Sequence, residues 1–281
     1  LASIKIVTDS TADLSSDLLA QYDISMIPLQ VNFSSESLKD RLEITPAEFY
    51  QRLKTEKKVP RTSQPAPGDI YNVYKKLADE GHSIVSIHIA SNFSGTYQAA
   101  LLAKSMLPEA DIHVFDSRTV SVGLGLVVLA AAKAVKEGKS LEEVISVVER
   151  TIPNIKIYFF VDTLEYLAKG GRIGGAAAFL GSLLNIKPLL AALEGEVQPV
   201  EKVRGRKRAV SRLIKIIKSE TAGKKCHCIL AHAGNKPGLD DLAEKIRPEI
   251  NFEEILLEQL GPVVGCHVGP GAVGIAFYTS S

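Results

Sequence analysis

Short apolar runs rich in β-branched residues alternate, over the first half of the chain, with stretches of helical periodicity. IKIVT (4–8), SMIPLQVNF (25–33), SIVSIHIA (83–90) and DIHVFD (111–116) read as strands, and 46–56, 67–80, 94–106 and 119–137 as helices. Strands that are apolar at nearly every position and linked by helices form a buried parallel sheet. The pattern changes near Thr151. Strands are predicted at 156–162, 187–193, 196–203, 226–233, 252–258 and 273–278, with helices at about 205–220 and at 237–247. This half mixes hairpin-like and strand–helix units, so some antiparallel pairing is expected. The expected fold is therefore α/β in two domains: a parallel-sheet domain over 1–150 and a mixed-sheet domain over 151–281. The helix at 140–153 fits either one. No low-complexity tract or long linker intervenes, so the halves should pack closely.

Composition changes this picture little. The 281 residues are 46% apolar and 23% charged with a net charge of +1, which is ordinary for a globular protein and excludes a polyelectrolyte binder. The three cysteines (Cys226, Cys228, Cys266) and an opening LASIKIVTDS that reads as a strand rather than a leader predict a reduced, cytoplasmic, soluble protein. The longest apolar run, 119–135, contains Ser121 and Lys133 and falls short of the roughly 20 residues a membrane span needs. No stable membrane insertion is expected, and at most a transient membrane contact.

Most motifs that carry chemistry are missing. EGKS (137–140) resembles the end of a phosphate loop, but Lys133 stands where its first glycine should be. Gly138 instead ends one helix and Ser140 caps the next. Cys226-His227-Cys228 lacks zinc spacing; in a strand both thiols face one side and His227 the other. No G-x-S-x-G elbow and no G-x-G-x-x-G turn occurs. Neither a metal nor a cofactor is expected. The run from Lys202 to Lys225 is strongly basic, with Arg208, Arg212 and Lys215 on one helical face and Leu213, Ile216 and Ile217 opposite. It is either a solvated face or a docking surface for an acidic or phosphorylated partner. Aromatics do not interleave with the charges, which disfavours nucleic acid.

Four segments combine hydroxyls with glycine or proline: TDSTADL (8–14), RTSQPAPGD (61–69), SNFSGTY (91–97) and DSRTVSVG (116–123). Three follow predicted strands of one sheet, which places them at its carboxyl edge, where α/β sheets bind ligands. The fourth is expected to be a proline-stiffened loop returning to the same edge. The edge carries Asp9 and Asp116 but few histidines beside them. It is therefore poor in general bases and rich in donors able to hold a carboxyl group. Ser94 is expected to cap a helix whose free N–H groups could face an anion. The small residues of KGGRIGGAAAFLG (169–181) either let backbones approach or leave a narrow slot.

Taken in order, KIVTDSTADL, RTSQPAPGDI, SNFSGTYQAA, VFDSRTVSVG, VDTLEYLAKGGRIGG, KVRGRKRA and HVGPGAVGIAFY resemble the DegV family over essentially the whole chain. The resemblance implies a two-domain α/β protein that holds one long-chain fatty acid, such as palmitate. It also implies a non-catalytic role as the fatty-acid-binding subunit of a fatty acid kinase. The carboxyl group would be presented to a separate kinase subunit, which makes acyl-phosphate for phospholipid synthesis. The family's carboxyl contacts fall on Thr62 and Ser94, with His267 near them and Ser63, Gly95 and Arg172 as further pocket candidates. Arg204 and Arg206 fall where relatives carry arginines that engage the kinase. Asn92-Phe93 departs from the Gly-Leu usual before the second serine of the SNFSGT segment.

Two other functions compete. A hydrolase or transferase acting on a lipid ester would use Ser94 with His267 or Asp116 and requires a nucleophile–base hydrogen bond. A nucleic-acid binder would use the basic helix, with steep salt dependence.

Overall fold

Every residue from Ser83 to His88 is buried, the polar Ser83, Ser86 and His88 included, as a central strand of a parallel sheet covered on both faces requires. The structure, a computed structural model, describes residues 3–56, 58–181 and 185–279. The chain begins β1 (Ile4–Asp9), α1 (Ser16–Gln21), β2 (Ile24–Ile27), β3 (Gln30–Asn32), β4 (Ser37–Lys39), α2 (Pro46–Leu53) and β5 (Arg61–Ser63). It continues α3 (Pro67–Asp79), β6 (Ser83–His88), α4 (Thr96–Ser105), β7 (Ile112–Asp116), α5 (Val122–Lys136) and α6 (Leu141–Thr151). β2, β1, β6 and β7 lie in that order in a parallel sheet. The chain leaves β1 for one edge and later returns to its other side, which opens a crevice at the carboxyl ends of β1 and β6.

The second half runs β8 (Lys156–Phe160), α7 (Glu165–Lys169), β9 (Ile186–Leu193), β10 (Glu196–Arg204), α8 (Arg206–Thr221) and β11 (Cys226–His232). It ends α9 (Lys236–Ile246), β12 (Phe252–Gln259), α10 (Pro262–Val268) and β13 (Val273–Thr279). These strands form a mixed sheet in the order β10-β9-β8-β13-β11-β12, parallel only between β11 and β12. Glu194 and Gly195 join β9 to β10 with φ of 48° and 73°, the left-handed pair that a two-residue hairpin turn demands.

α5 is apolar nearly all round and buries eleven residues, since it packs against strands of both sheets. One hydrophobic core consequently includes Ile6 and Val85 of the first sheet with Ala231 and Ala276 of the second. A second core lies under α8 and α9, where Cys226 and Cys228 point inward while His227 stacks on the Tyr278 ring outside. α6 packs on α5, with Ser140 and Glu143 in a reciprocal cap after Gly138, which adopts φ 78°.

Three sequence expectations are corrected. The predicted strand 25–33 is two strands in different sheets: β2 is parallel to β1, and β3 pairs with β4 and β5 in a small antiparallel sheet. The break falls at Pro28, which has no N–H for a ladder. Thr62 and Ser63 lie not in a loop but in β5, with Thr62 opposite Val31. The small residues at 174–179 form a 3₁₀ helix against β10, with a Cβ at Gly174 reaching 2.7 Å from the Val197 carbonyl oxygen. They serve close approach, not a slot.

Candidate functional site

The carboxyl edge of the parallel sheet faces the mixed sheet across a cavity of about 310 Å³, within the range of small-molecule sites. All four polar segments reach it, through Thr11, through Thr62 to Gln64, through Phe93 to Gly95, and through Val120 to Val122. The opposite wall is apolar: Ile157 and Phe159 of β8, Ala192 of β9, Ala231 of β11 and Gly274 of β13. Thr62, Ser63, Ser94, Gly95, Arg172 and His267 all line this cavity, although they come from both halves of the chain. Arg204 and Arg206 are not among its lining residues.

His267 sits near the end of α10, a helix not foreseen from the sequence. Gly261-Pro262 was a readable start signal, with proline at the first helical position. The imidazole Nε2 lies 2.9 Å from Thr62 Oγ1. Its Nδ1 is buried without a partner. A proton on Nδ1 would strand a buried donor, so the favoured tautomer carries it on Nε2 and donates to Thr62. The Thr62 hydroxyl hydrogen is then free for a ligand. Burial, reinforced by the nearby Arg172 charge, pushes the His267 pKa down to about 4, so the ring is neutral near pH 7. His267 retains some accessible surface at the cavity wall despite the protein packed around it.

Ser94 is not the helix cap expected of it; Gly95 occupies that position without a side chain to offer. Ser94 Oγ instead lies 2.8 Å from Thr96 Oγ1 and accepts the Thr96 N–H at 3.3 Å. The Arg172 Nε and Nη2 donate to the Phe93 carbonyl at 3.2 and 3.1 Å, and Nη1 donates to that of Gly170 at 2.9 Å. Arg172 thus ties down the loop that carries Ser94. Two glycines let neighbouring side chains come close. A Cβ at Gly95 would lie 2.0 Å from Gln64 Oε1, and one at Gly170 would lie 2.3 Å from His267 Nδ1. Gln64 was overlooked as a site residue although it borders Thr62 and Ser63 in the same polar segment.

The geometry does not assemble a hydrolase. Ser94 makes no hydrogen bond to His267, whose partner is Thr62, and Asp116 accepts backbone N–H groups of Ser91 and Arg118. One carboxyl-edge acid has a histidine beside it: His88 Nδ1 lies 3.0 Å from Asp9 Oδ2, and its Nε2 lies 2.8 Å from Ser86 Oγ. All three are 0% exposed and Tyr74 caps the serine, so no substrate reaches this chain of groups. Among the described residues no cluster of His, Cys, Asp or Glu is placed to hold a metal, and no helix is long and apolar enough to cross a membrane.

Away from the cavity, Arg204 is exposed at the end of β10. Arg206 opens α8, where Nη2 donates to the Gly271 carbonyl at 3.1 Å and the guanidinium lies 5.3 Å from the Phe160 ring centre. Along α8, Arg212 pairs with Glu201 and Lys218 with Glu249, while Val210, Leu213 and Ile217 face the core.

The fold is a two-sheet α/β protein with a cavity between its sheets, lined mainly by aliphatic side chains together with hydroxyls and a neutral imidazole. The chain belongs to the DegV family: a family model described as "Uncharacterised protein, DegV family" matches residues 3–280. Protein DegV of Bacillus subtilis is 35% identical over 98% of this chain and 99% of its own length. A DegV family protein from Thermus thermophilus, whose structure is described for fatty acid binding, superposes with a TM-score of 0.93 at 38% identity, covering 99% of this chain and all of that one. A stearic acid-binding protein from Eubacterium ventriosum superposes with a TM-score of 0.90 at 27% identity, covering 98% of both chains.

Proposed function

We propose that this protein binds one long-chain fatty acid in the cavity, with the carboxyl group at Thr62 and Ser94 and His267 beside it. The observation that carries this reading is the mixed lining of the cavity, in which Thr62, Ser94 and His267 share the wall with a majority of aliphatic side chains. Burial of a long acyl chain at about 0.8 kcal/mol per CH₂ gives on the order of 10 kcal/mol gross, before the cost of association. The carboxyl group would be left costly without donors, and the free Thr62 hydroxyl and Ser94 supply them. The fatty-acid-binding relatives from Thermus and Eubacterium support the ligand class. In this reading residues 1–150 carry the carboxyl-binding loops, and residues 151–281 carry the apolar wall and a docking surface.

The protein is then a carrier rather than an enzyme. It presents the carboxyl group to a separate kinase subunit in the cytoplasm, which forms acyl-phosphate for phospholipid synthesis. The exposed Arg204 and the partly exposed Arg206 at the start of α8 are the proposed docking residues, with Arg172 at the cavity mouth. Calorimetric titration with palmitate tests the binding step. One equivalent bound supports the reading, and no heat with either saturated or unsaturated long-chain acids rejects it. Acyl-phosphate formation with the kinase subunit and ATP tests the presentation step separately.

A further inference from the structure

α10 holds His267 near its far end, and its N-terminus is gripped from outside the helix. Gly261, the residue that caps it, has no side chain, and Asp13 Oδ1 accepts the Gly261 N–H at 2.7 Å. Asp13 is buried in the turn after β1; its Oδ2 accepts the Ser121 hydroxyl at 2.6 Å. Arg41 Nη2 donates to Asp13 Oδ1 at 3.1 Å and to the Gln259 carbonyl at 2.9 Å, while Nη1 donates to the Leu14 carbonyl at 3.2 Å. One carboxylate and one guanidinium therefore join the β1 turn, the small sheet, the start of α5 and the start of α10.

Two features go beyond what packing needs. Asp13, Arg41 and Ser121 all adopt positive φ, 53°, 63° and 57°, without being glycine, and Ser121 lines the cavity. Such strain persists where the surroundings over-determine the backbone, and it gathers at functional sites. Asp40, 0% exposed, lies beside Ser10 and the Val263 N–H in the first turn of α10, yet neither of its oxygens makes a hydrogen bond of normal geometry. Tyr50 of α2 comes against the same helix, with its hydroxyl 2.7 Å from where a Cβ of Gly265 would be, and is likewise unpartnered. Cys266 of α10 and Glu258 of β12 complete the titratable groups around Asp40 and Arg41. A second buried carboxylate next to a single guanidinium is a costly way to hold a helix, and an apolar contact would serve stability as well.

We propose that Asp13, Asp40 and Arg41 are positioning residues, a buried clamp on the N-terminus of α10 that sets where the His267 imidazole stands against Thr62. None of the three lines the cavity. α10 has seven residues, about 10 Å of rigid helix at 1.5 Å per residue, so a shift at Gly261 is carried to His267. The inference deepens the fatty acid reading, but its primary readout does not depend on it.

The test is the ¹⁵N spectrum of the His267 ring, assigned by comparison with His267→Gln, in wild type, Arg41→Met, Arg41→Lys and Asp40→Asn. Leu242→Ala, in the core under α9, serves as a destabilised control. Arg41→Met and Asp40→Asn shift the His267 signals, Arg41→Lys restores part of the shift, and Leu242→Ala lowers the melting temperature without moving them. The same two clamp variants weaken a fluorescent fatty acid probe about ten-fold, the loss of roughly one hydrogen bond. Unchanged ring signals in both would overturn the clamp. If Arg41→Met does not fold, the isosteric Asp40→Asn decides alone. Failure of wild type to bind the probe counts against the fatty acid reading, and the ring signals still decide the clamp.

Discussion

Thr62 Oγ1 and His267 Nε2, 205 positions apart in sequence, meet at 2.9 Å at the wall of a cavity that both halves of the chain enclose. The contact exists because β5 and α10 are brought together by the small antiparallel sheet, which packs against α10. It joins one hydroxyl and one neutral ring where the fatty acid carboxyl is proposed to lie, and it makes each residue's contribution separable by mutation.

Thr62→Ala and Ser94→Ala each remove a donor to a buried carboxyl group, at a cost of about 1–3 kcal/mol. Displacement of a fluorescent fatty acid should report a 5- to 150-fold loss for each, roughly. Retained affinity in the double variant removes both residues from the site.

Gly170→Ala should act on binding through His267. The new Cβ would stand 2.3 Å from Nδ1 and 3.0 Å from the Tyr166 carbonyl oxygen, so the ring must shift and its contact with Thr62 is disturbed. Fatty acid affinity should fall while Gly171→Ala, which meets nothing within 4 Å, costs backbone strain at φ 68° but leaves the ring in place. Equal effects of the two on affinity contradict the role given to the ring.

Two buried groups predict opposite slopes of stability with pH. His267 titrates at about 4 instead of 6.5, so the unfolded chain takes up the proton first and stability is lost as pH falls from about 6.5 to 4. Asp40 is pushed by burial from 3.8 to about 7, so the folded chain holds the proton longer and stability is lost as pH rises from about 4 to 7. Denaturant unfolding across this range should show a steeper fall with rising pH in His267→Gln and a shallower one in Asp40→Asn. Parallel profiles of wild type and both variants reject these assignments. A bound carboxylate beside His267 should raise its pKa above that of the empty protein, which ring NMR reads directly.

Arg204→Ala and Arg206→Ala should both spare fatty acid binding and impair acyl-phosphate formation with the kinase subunit. They should differ in stability. Arg206 holds the Gly271 carbonyl and covers Phe160, so its loss lowers the melting temperature, whereas the Arg204 side chain is exposed and makes no hydrogen bond or ion pair among the described residues. Loss of fatty acid binding in Arg204→Ala contradicts a docking role.

Much of this was legible in the sequence because its signals were local. The strands of both sheets followed from apolar runs, and three of the four hydroxyl-bearing segments follow strands of the parallel sheet, whose carboxyl ends its order places together. What escaped was short or non-local. β5 has three residues and gains its pairing only from β3, which a proline had hidden inside a longer apolar run. α10 has seven residues, too few for periodicity to declare, and it carries the His267 that meets Thr62. The glycine-rich 174–179 segment was ambiguous between a slot and a close approach, and only the position of β10 decided it. The buried contacts of Asp13 with Arg41 and Gly261 span 28 and 248 positions, beyond any local pattern.

The central claim is that the cavity holds one fatty acid with its carboxyl group at Thr62 and Ser94. Native mass spectrometry of the purified protein, followed by organic extraction and identification of any released molecule, tests it most directly. The account predicts one equivalent of a long-chain fatty acid per chain, or full uptake of one equivalent of added palmitate, and its loss in the Thr62→Ala, Ser94→Ala double variant. A folded wild-type protein that neither carries nor takes up a fatty acid would contradict it.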